Sequence, residues 1–222
     1  MNILNLYAGI GGNRRFWGDD HDITAVELDP KIAAIYHDFF PKDKVIVADA
    51  HQFLLDHFKE YEFIWASPPC PTHSRMNNIN NHKGSSPKYP DMHLYQEILL
   101  LSFWFEGMYC IENVISYYDP LISPIELNSH YYWTNFHIRT NDTRPTRYIR
   151  KDQMDERKTI VNFDLSKYTL PKTKVNLMLC NCVEPETGKY IFDQMLLSIK
   201  NDKSSLFDKE PTTPQGVERN RR

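Results

Sequence analysis

Nowhere among the 222 residues does an apolar run approach the roughly 20 needed to cross a bilayer. A membrane-spanning role is therefore not expected. The opening Met1-Asn2-Ile3-Leu4-Asn5-Leu6-Tyr7 lacks the charged start and small-residue cleavage site of a secretory signal. Cysteine is sparse: Cys70, Cys110, Cys180 and Cys182 are too unevenly spaced to describe a disulfide framework. These absences lead to the expectation of a soluble protein of a reducing cytoplasm. No internal repeat is present, and the length suits one substantial domain, or one domain with a small appendage.

The net charge of −3 hides an asymmetry. Residues 1–62 carry six Lys/Arg against eleven Asp/Glu, whereas 139–158 hold Arg139, Arg144, Arg147, Arg150, Lys151, Arg157 and Lys158 against four acids. Such a division suits a protein that holds a polyanion on one face, and a solvated basic loop has the same composition.

Short apolar runs alternate with helix-like segments through the first 112 residues. Strands are expected over 2–7, 23–27, 45–47, 63–66 and 108–111. Helices are expected from Asp29 to Phe40, with Asp29 as cap and Pro30 at the first position, from about His51 to Phe58, and from Met92 to Glu106. This alternation predicts an α/β protein with a doubly wound, mostly parallel sheet. Between the fourth strand and the next helix, Thr72 to Asp91 is polar, rich in turn formers and aperiodic, and is expected to act as a lid. The tail from about Asn201 to Arg222 reads as disordered.

Chemistry concentrates where these strands end. Ser67-Pro68-Pro69-Cys70 follows the apolar run Phe63-Ile64-Trp65-Ala66. Two prolines remove backbone donors and fix φ, so the thiol stands on a rigid loop at a strand's carboxyl end, where ligands bind in open α/β sheets. Gly9-Ile10-Gly11-Gly12 follows the first strand and allows close backbone approach to a cofactor, although a plain tight turn needs the same residues. The second strand ends in Glu27-Leu28-Asp29 and the third in Ala48-Asp49-Ala50, carboxylates suited to a ribose diol and an adenine amino group. Glycines and an acid fit a nicotinamide cofactor as well as S-adenosylmethionine; Asp49 and the thiol loop favour the second. Glu112-Asn113-Val114 follows the fifth strand, which neighbours the fourth in a doubly wound order. A thiol and a carboxyl side by side suit methyl addition to C5 of cytosine, with Cys70 adding to C6 and Glu112 engaging N3 and the exocyclic amine.

In this order Leu6-Tyr7-Ala8-Gly9-Ile10-Gly11-Gly12, Glu27-Leu28-Asp29, Asp49, Pro68-Pro69-Cys70 and Glu112-Asn113-Val114 resemble the motifs of the cytosine-5 DNA methyltransferase family. The resemblance covers residues 3–115 and implies a Rossmann-like, class I S-adenosylmethionine-dependent methyltransferase. It also implies a flipped target base and a covalent Cys70–C6 adduct resolved by β-elimination. Cys70 and Glu112 become the catalytic candidates. Cofactor contacts fall on Tyr7, Ala8, Gly9, Gly11, Gly12, Glu27, Leu28, Asp49, Ala50 and Pro68. Asn181 and Val183, in a segment similar to the family's closing motif, complete that set. Nucleic-acid contacts fall on Ser74, Arg75, Asn113, His130, Arg139, Arg144 and Arg147, and no metal is implied. Cys180 and Cys182 read as a core pair rather than half a metal site.

Two departures stand out. Asn128 to Phe136 occupies the place of the family's Gln-x-Arg-x-Arg, with His130 a partial substitute, and its aromatics equally suit a core strand. Only about forty residues separate that strand from the closing motif, where the family inserts a large recognition domain. The implied organisation is a catalytic domain over 1–138, a reduced target-recognition segment over 139–175, a closing segment over 176–200 and a tail over 201–222. The leading expectation is a cytoplasmic enzyme of bacterial or phage-infected-host type, acting on duplex DNA alone, as a homodimer or with a partner subunit such as a restriction enzyme. RNA is the alternative substrate. An amino-methylating enzyme and a catalytically impaired DNA-binding relative are the other readings.

Overall fold

The structure, a computed structural model, describes residues 1–75, 89–140 and 154–207, with side chains described except at 154–156 and 202–207. Most of the expected lid, together with Arg144, Arg147, Arg150 and Lys151, lies outside the described residues.

Seven strands form one sheet: β1 (Asn2–Leu6), β2 (Asp22–Glu27), β3 (Lys44–Val47), β4 (Phe63–Ala66), β5 (Met108–Val114), β6 (Ile125–Leu127) and β7 (His130–Thr134). Their order is β3-β2-β1-β4-β5-β7-β6. The first five strands are parallel, and β7 runs antiparallel to both β5 and β6. The expected α/β, doubly wound and mostly parallel sheet is the fold observed. A parallel sheet covered on both faces needs continuous apolar strands, and all four residues of β4 are buried.

The helices are α1 (Pro30–Phe39), α2 (Ala50–His57), α3 (His93–Trp104), α4 (Met154–Val161), α5 (Lys172–Cys180) and α6 (Pro185–Phe207). Asp29 caps α1 by accepting from the N–H groups of Lys31 and Ile32, with Pro30 in the first turn. Asp49 caps α2 by accepting from Gln52 N–H. Because α6 continues to Phe207, residues 201–207 are helical backbone, which corrects the expected start of the disordered tail at Asn201. Residues 208–222 lie outside the described residues.

Strand alternation sends side chains to two cores. On one face Leu4, Leu6, Val26, Ile64 and Ile111 pack with Leu54 of α2 and Leu94, Ile98 and Leu101 of α3. On the other, Ile3, Ile23, Phe63, Trp65 and Cys110 meet Ile191, Phe192 and Met195 of α6, with Trp17 stacked on Phe192 at 4.9 Å between centroids. A third cluster joins Ala25 and α1 (Ile35, Tyr36) to Val161, Phe163, Met178 and Leu179. Much of 157–175, read as nucleic-acid contact, is thus built against α1 through Phe163, Leu165 and Tyr168.

A buried ion pair ties the turn after β1 to the turn before β3. Arg14 and Asp43 are 2 % and 4 % exposed. Arg14 Nε lies 2.9 Å from Asp43 Oδ2 and Nη2 3.1 Å from Oδ1, Tyr36 donates to the same carboxylate, and the guanidinium stands over Phe40. Removing one partner strands the other's charge in the core. Asp43→Ala should lower the unfolding free energy by about 3–5 kcal/mol in urea titrations; a loss below about 1 kcal/mol, the scale of a surface pair, would contradict this account.

Candidate active site at the carboxyl edge of the sheet

Strand order reverses between β1 and β4, so the loops leaving their carboxyl ends part and open a crevice. On one side stands the glycine turn. Ala8 N–H donates to the Val26 carbonyl and Gly11 N–H to that of Ala8, folding the chain back sharply. Gly9 has φ +55°, and a Cβ there would meet nothing within 4 Å, so the space before this backbone is open. Gly11, at φ +86°, is needed for both reasons glycine is used: a side chain would be strained and would collide with Phe40 and Tyr36. A Cβ on Gly12 would collide with Cys182 Sγ and the Val183 carbonyl. The closing segment therefore packs directly on the turn. Within it Cys182 is buried, Val183 half-buried and Asn181 exposed.

The Glu27 carboxylate accepts from Gly9 N–H and Asp29 N–H, both at 2.9 Å, locking the turn to the end of β2. Lys174 of α5 pairs with Asp29 at 2.7 Å. Leu28 is 67 % exposed although apolar, and Asp49 is also exposed. Ala50 and Pro68 are buried. An open glycine backbone, an edge carboxylate, an uncovered leucine and a second carboxylate fit the ribose, purine face and amino group of S-adenosylmethionine.

Across the crevice is the thiol. Asn113, expected to touch nucleic acid, is instead 1 % exposed. Its amide donates to the Pro68 carbonyl at 3.0 Å, so it holds the proline loop to β5. That correction follows from strand alternation, which turns Asn113 inward. His73 and Ser74 N–H both donate to the Cys70 carbonyl, closing a tight turn behind the thiol. The turn is anchored by the Ser74–Ser116 bridge, by Tyr117 N–H donating to the His73 carbonyl, and by His73 Nδ1 at 2.6 Å from the Tyr118 hydroxyl.

Cys70 is half-buried and Glu112, 8 % exposed, acts on it electrostatically. Burial, then the Glu112 charge, pushes the thiol up to about 11. His130 pairs with Val114 across β5 and β7, and its Nε2 lies 3.6 Å from Glu112 Oε1. His130 Nδ1 lies 3.1 Å from the Asn128 carbonyl. A carbonyl only accepts, so Nδ1 carries hydrogen and Nε2 is the atom turned to Glu112. Thiol, carboxyl and imidazole thus form one coupled group.

The remaining expected contacts disperse. Ser74 serves the loop's bridge, Arg75 and Arg139 are exposed, and Arg144 and Arg147 lie outside the described residues. Cys180 is exposed at the end of α5 while Cys182 is buried, which corrects their reading as a core pair. Among the described residues no group of three metal-ligating side chains occurs. No described helix is long and apolar enough to cross a membrane. An open cavity of about 520 Å³, lined by residues that include Phe163, Leu165, Tyr168 and Val175, contains none of the expected site residues. Sequence reasoning missed Glu97, fully buried on α3, and His51, which together with the expected cofactor contact Tyr7 reaches its carboxylate. A lone acid in a helix reads as surface, and only its apolar neighbours Leu94, Ile98 and Leu101 hint otherwise.

Residues 1–90 match the family described as C-5 cytosine-specific DNA methylase. No curated protein matches the chain. Among solved structures, a DNMT2 mutant from Spodoptera frugiperda is 26% identical, covering 51% of this chain and 35% of its own, at a TM-score of 0.38. A putative DNA modification methyltransferase encoded within an E. coli prophage is 15% identical over 68% of this chain and 52% of its own, at a TM-score of 0.42. The putative methyltransferase yhhF from Escherichia coli is 14% identical over 60% and 73%, at 0.40. The chain spans about a third of the length of the DNMT2 structure. The likeness to the C-5 cytosine-specific DNA methylase family thus covers residues 1–90 of the 222.

Proposed function

We propose that the protein transfers a methyl group to C5 of cytosine in duplex DNA through a covalent bond between Cys70 and C6 of a flipped base. One observation carries the reading: Cys70 and Glu112 stand on neighbouring strand ends with their charges coupled, and His130 adjoins the carboxyl. When bound, S-adenosylmethionine supplies an electrophilic methyl group. Tyr7, Ala8, Gly9, Gly11 and Gly12 line its backbone cradle. Glu27 takes the ribose hydroxyls, Leu28 the purine face, and Asp49 with Ala50 the amino edge. Pro68, Asn181 and Val183 close the pocket.

C5 of cytosine is a poor nucleophile until sulfur adds at C6. Burial first, and then the charge of an ionised Glu112, oppose the thiolate, so Cys70 rests as a thiol. A Glu112 carboxyl that donates to N3 of the base removes this opposing charge where the thiolate must form, and His130 adjoins that carboxyl. The thiol gives its proton to solvent, the S–C6 bond forms, and the C5–C6 π electrons reach C5, which would take the methyl group while the rest of the donor leaves as a neutral thioether. A solvent-derived base then removes the C5 proton, the C5–H electrons re-form the C5–C6 double bond, the S–C6 electrons return to sulfur, and the N3 proton goes back to Glu112. Ser74, Arg75 and Arg139, with Arg144 and Arg147 of the basic segment, provide the phosphate grip.

Duplex DNA containing 5-fluorocytosine should trap the enzyme as an adduct on the Cys70 peptide, because fluorine blocks the elimination step. Cys70→Ala should form no adduct and transfer no methyl group while still binding cofactor; turnover in that variant would remove the covalent route. A parallel tRNA arm decides the substrate, and adducts on tRNA alone would overturn DNA. Without a base, Cys70 alkylation by iodoacetamide should keep accelerating toward pH about 11, instead of levelling near an ordinary thiol's 8.5. Glu112→Gln, which removes the opposing charge, should speed alkylation at neutral pH while impairing methyl transfer.

A further inference from the structure

Helix α3 carries an acid the mechanism leaves unused. Glu97 is 0 % exposed, and burying a carboxylate costs stability unless it is neutralised or hydrogen-bonded. Two groups reach its Oε1: the Tyr7 hydroxyl donates to it, and His51 Nδ1 lies 2.9 Å away. Its Oε2 is buried with no partner. Both partners adjoin in sequence the residues proposed to hold the cofactor. Tyr7 ends β1 just before the glycine turn, and its φ of +55° is a conformation side-chain-bearing residues rarely adopt. His51 lies in the first turn of α2, two residues beyond the cap Asp49. Anchoring the Tyr7 hydroxyl at Glu97 holds that strained backbone, and anchoring His51 holds the start of α2.

We propose that Glu97 is a positioning residue that links cofactor affinity to the protonation of His51, through Tyr7 on one side of the pocket and the start of α2 on the other. The proposal rests on the reading of this crevice as the cofactor site. The groups facing His51 are Glu97, the stacked ring of His93 at 4.1 Å, Asp49 and Asp91, so carboxylates surround it from α2, α3 and the loop before α3. The hydrogen bond to Glu97, opposed by burial, raises His51 above the ordinary imidazole range. His51 therefore keeps its charge to higher pH than an unpartnered imidazole and loses it as pH rises through that raised value. Glu97 is then a buried carboxylate without a counter-charge. Loss of the charge-assisted hydrogen bond from His51 weakens the hold on Tyr7 and α2. Affinity is accordingly greatest on the acid side and falls on the alkaline side.

The test measures S-adenosylhomocysteine binding to the full chain by calorimetry between about pH 6 and about pH 8.5, a window that brackets imidazole titration. Wild-type affinity should fall on the order of tenfold across it, the scale of one charge-assisted hydrogen bond. His51→Gln keeps a donor to Glu97 but cannot titrate, and should flatten the profile. Ligand titration is common to both proteins, so the difference in slope reads His51 alone. Glu97→Gln should bind more weakly and lose the slope; should it fail to fold, His51→Gln decides alone. An unchanged slope in His51→Gln overturns the proposal while leaving the pocket assignment intact. Absence of wild-type binding at every pH overturns the pocket assignment, and this inference with it.

Discussion

Strand order turns around at β1: β2 and β3 lie to one side, and β4 and β5 lie to the other. The loops leaving β1 and β4 must therefore diverge, and no side chain is needed to open the crevice between them. Everything functional in this chain depends on that reversal. It sets the glycine turn against the proline loop, and the pairing of β4 with β5 brings the loop's thiol beside Glu112. Function here follows from which strands are neighbours.

Around the crevice, polar groups secure backbone as much as they wait for ligands. Glu27 fastens the glycine turn to β2, Asn113 fastens the proline loop to β5, and Glu97 fastens Tyr7 to α2. Arg14 and Asp43 bind the far end of the turn to the strand below it. Each of these groups is buried or half-buried, so each hydrogen bond forms away from competing water. The cofactor wall is thus organised before any ligand arrives, which lowers the ordering cost of binding.

The reactive centre works differently. Burial and a neighbouring carboxyl hold Cys70 in its thiol form at rest, a state of low nucleophilicity. In the proposed reaction a base that engages the carboxyl changes the field at sulfur, which ties activation to the presence of the target. His130 stands where the resembled family carries arginines, so an imidazole rather than a guanidinium adjoins Glu112.

Local signals were legible from residues alone. Alternating apolar runs, the caps Asp29 and Asp49 with Pro30, and the Pro68-Pro69-Cys70 turn predicted the first five strands, helices α1 to α3 and the edge where chemistry gathers. These rest on interactions within a few residues, which periodicity and turn chemistry report directly. What needed the folded chain were contacts between residues far apart in sequence. Asn113 faces inward to Pro68, 45 positions away, and Glu97 is buried among groups from β1 and α2. Cys182 rather than Cys180 meets Gly12, because only one side of the end of α5 faces the turn. Sequence alone determined which residues could do chemistry and at which strand ends they stand; the tertiary structure decided which become core ties and which remain open to a ligand, because burial is set by what packs across the sheet.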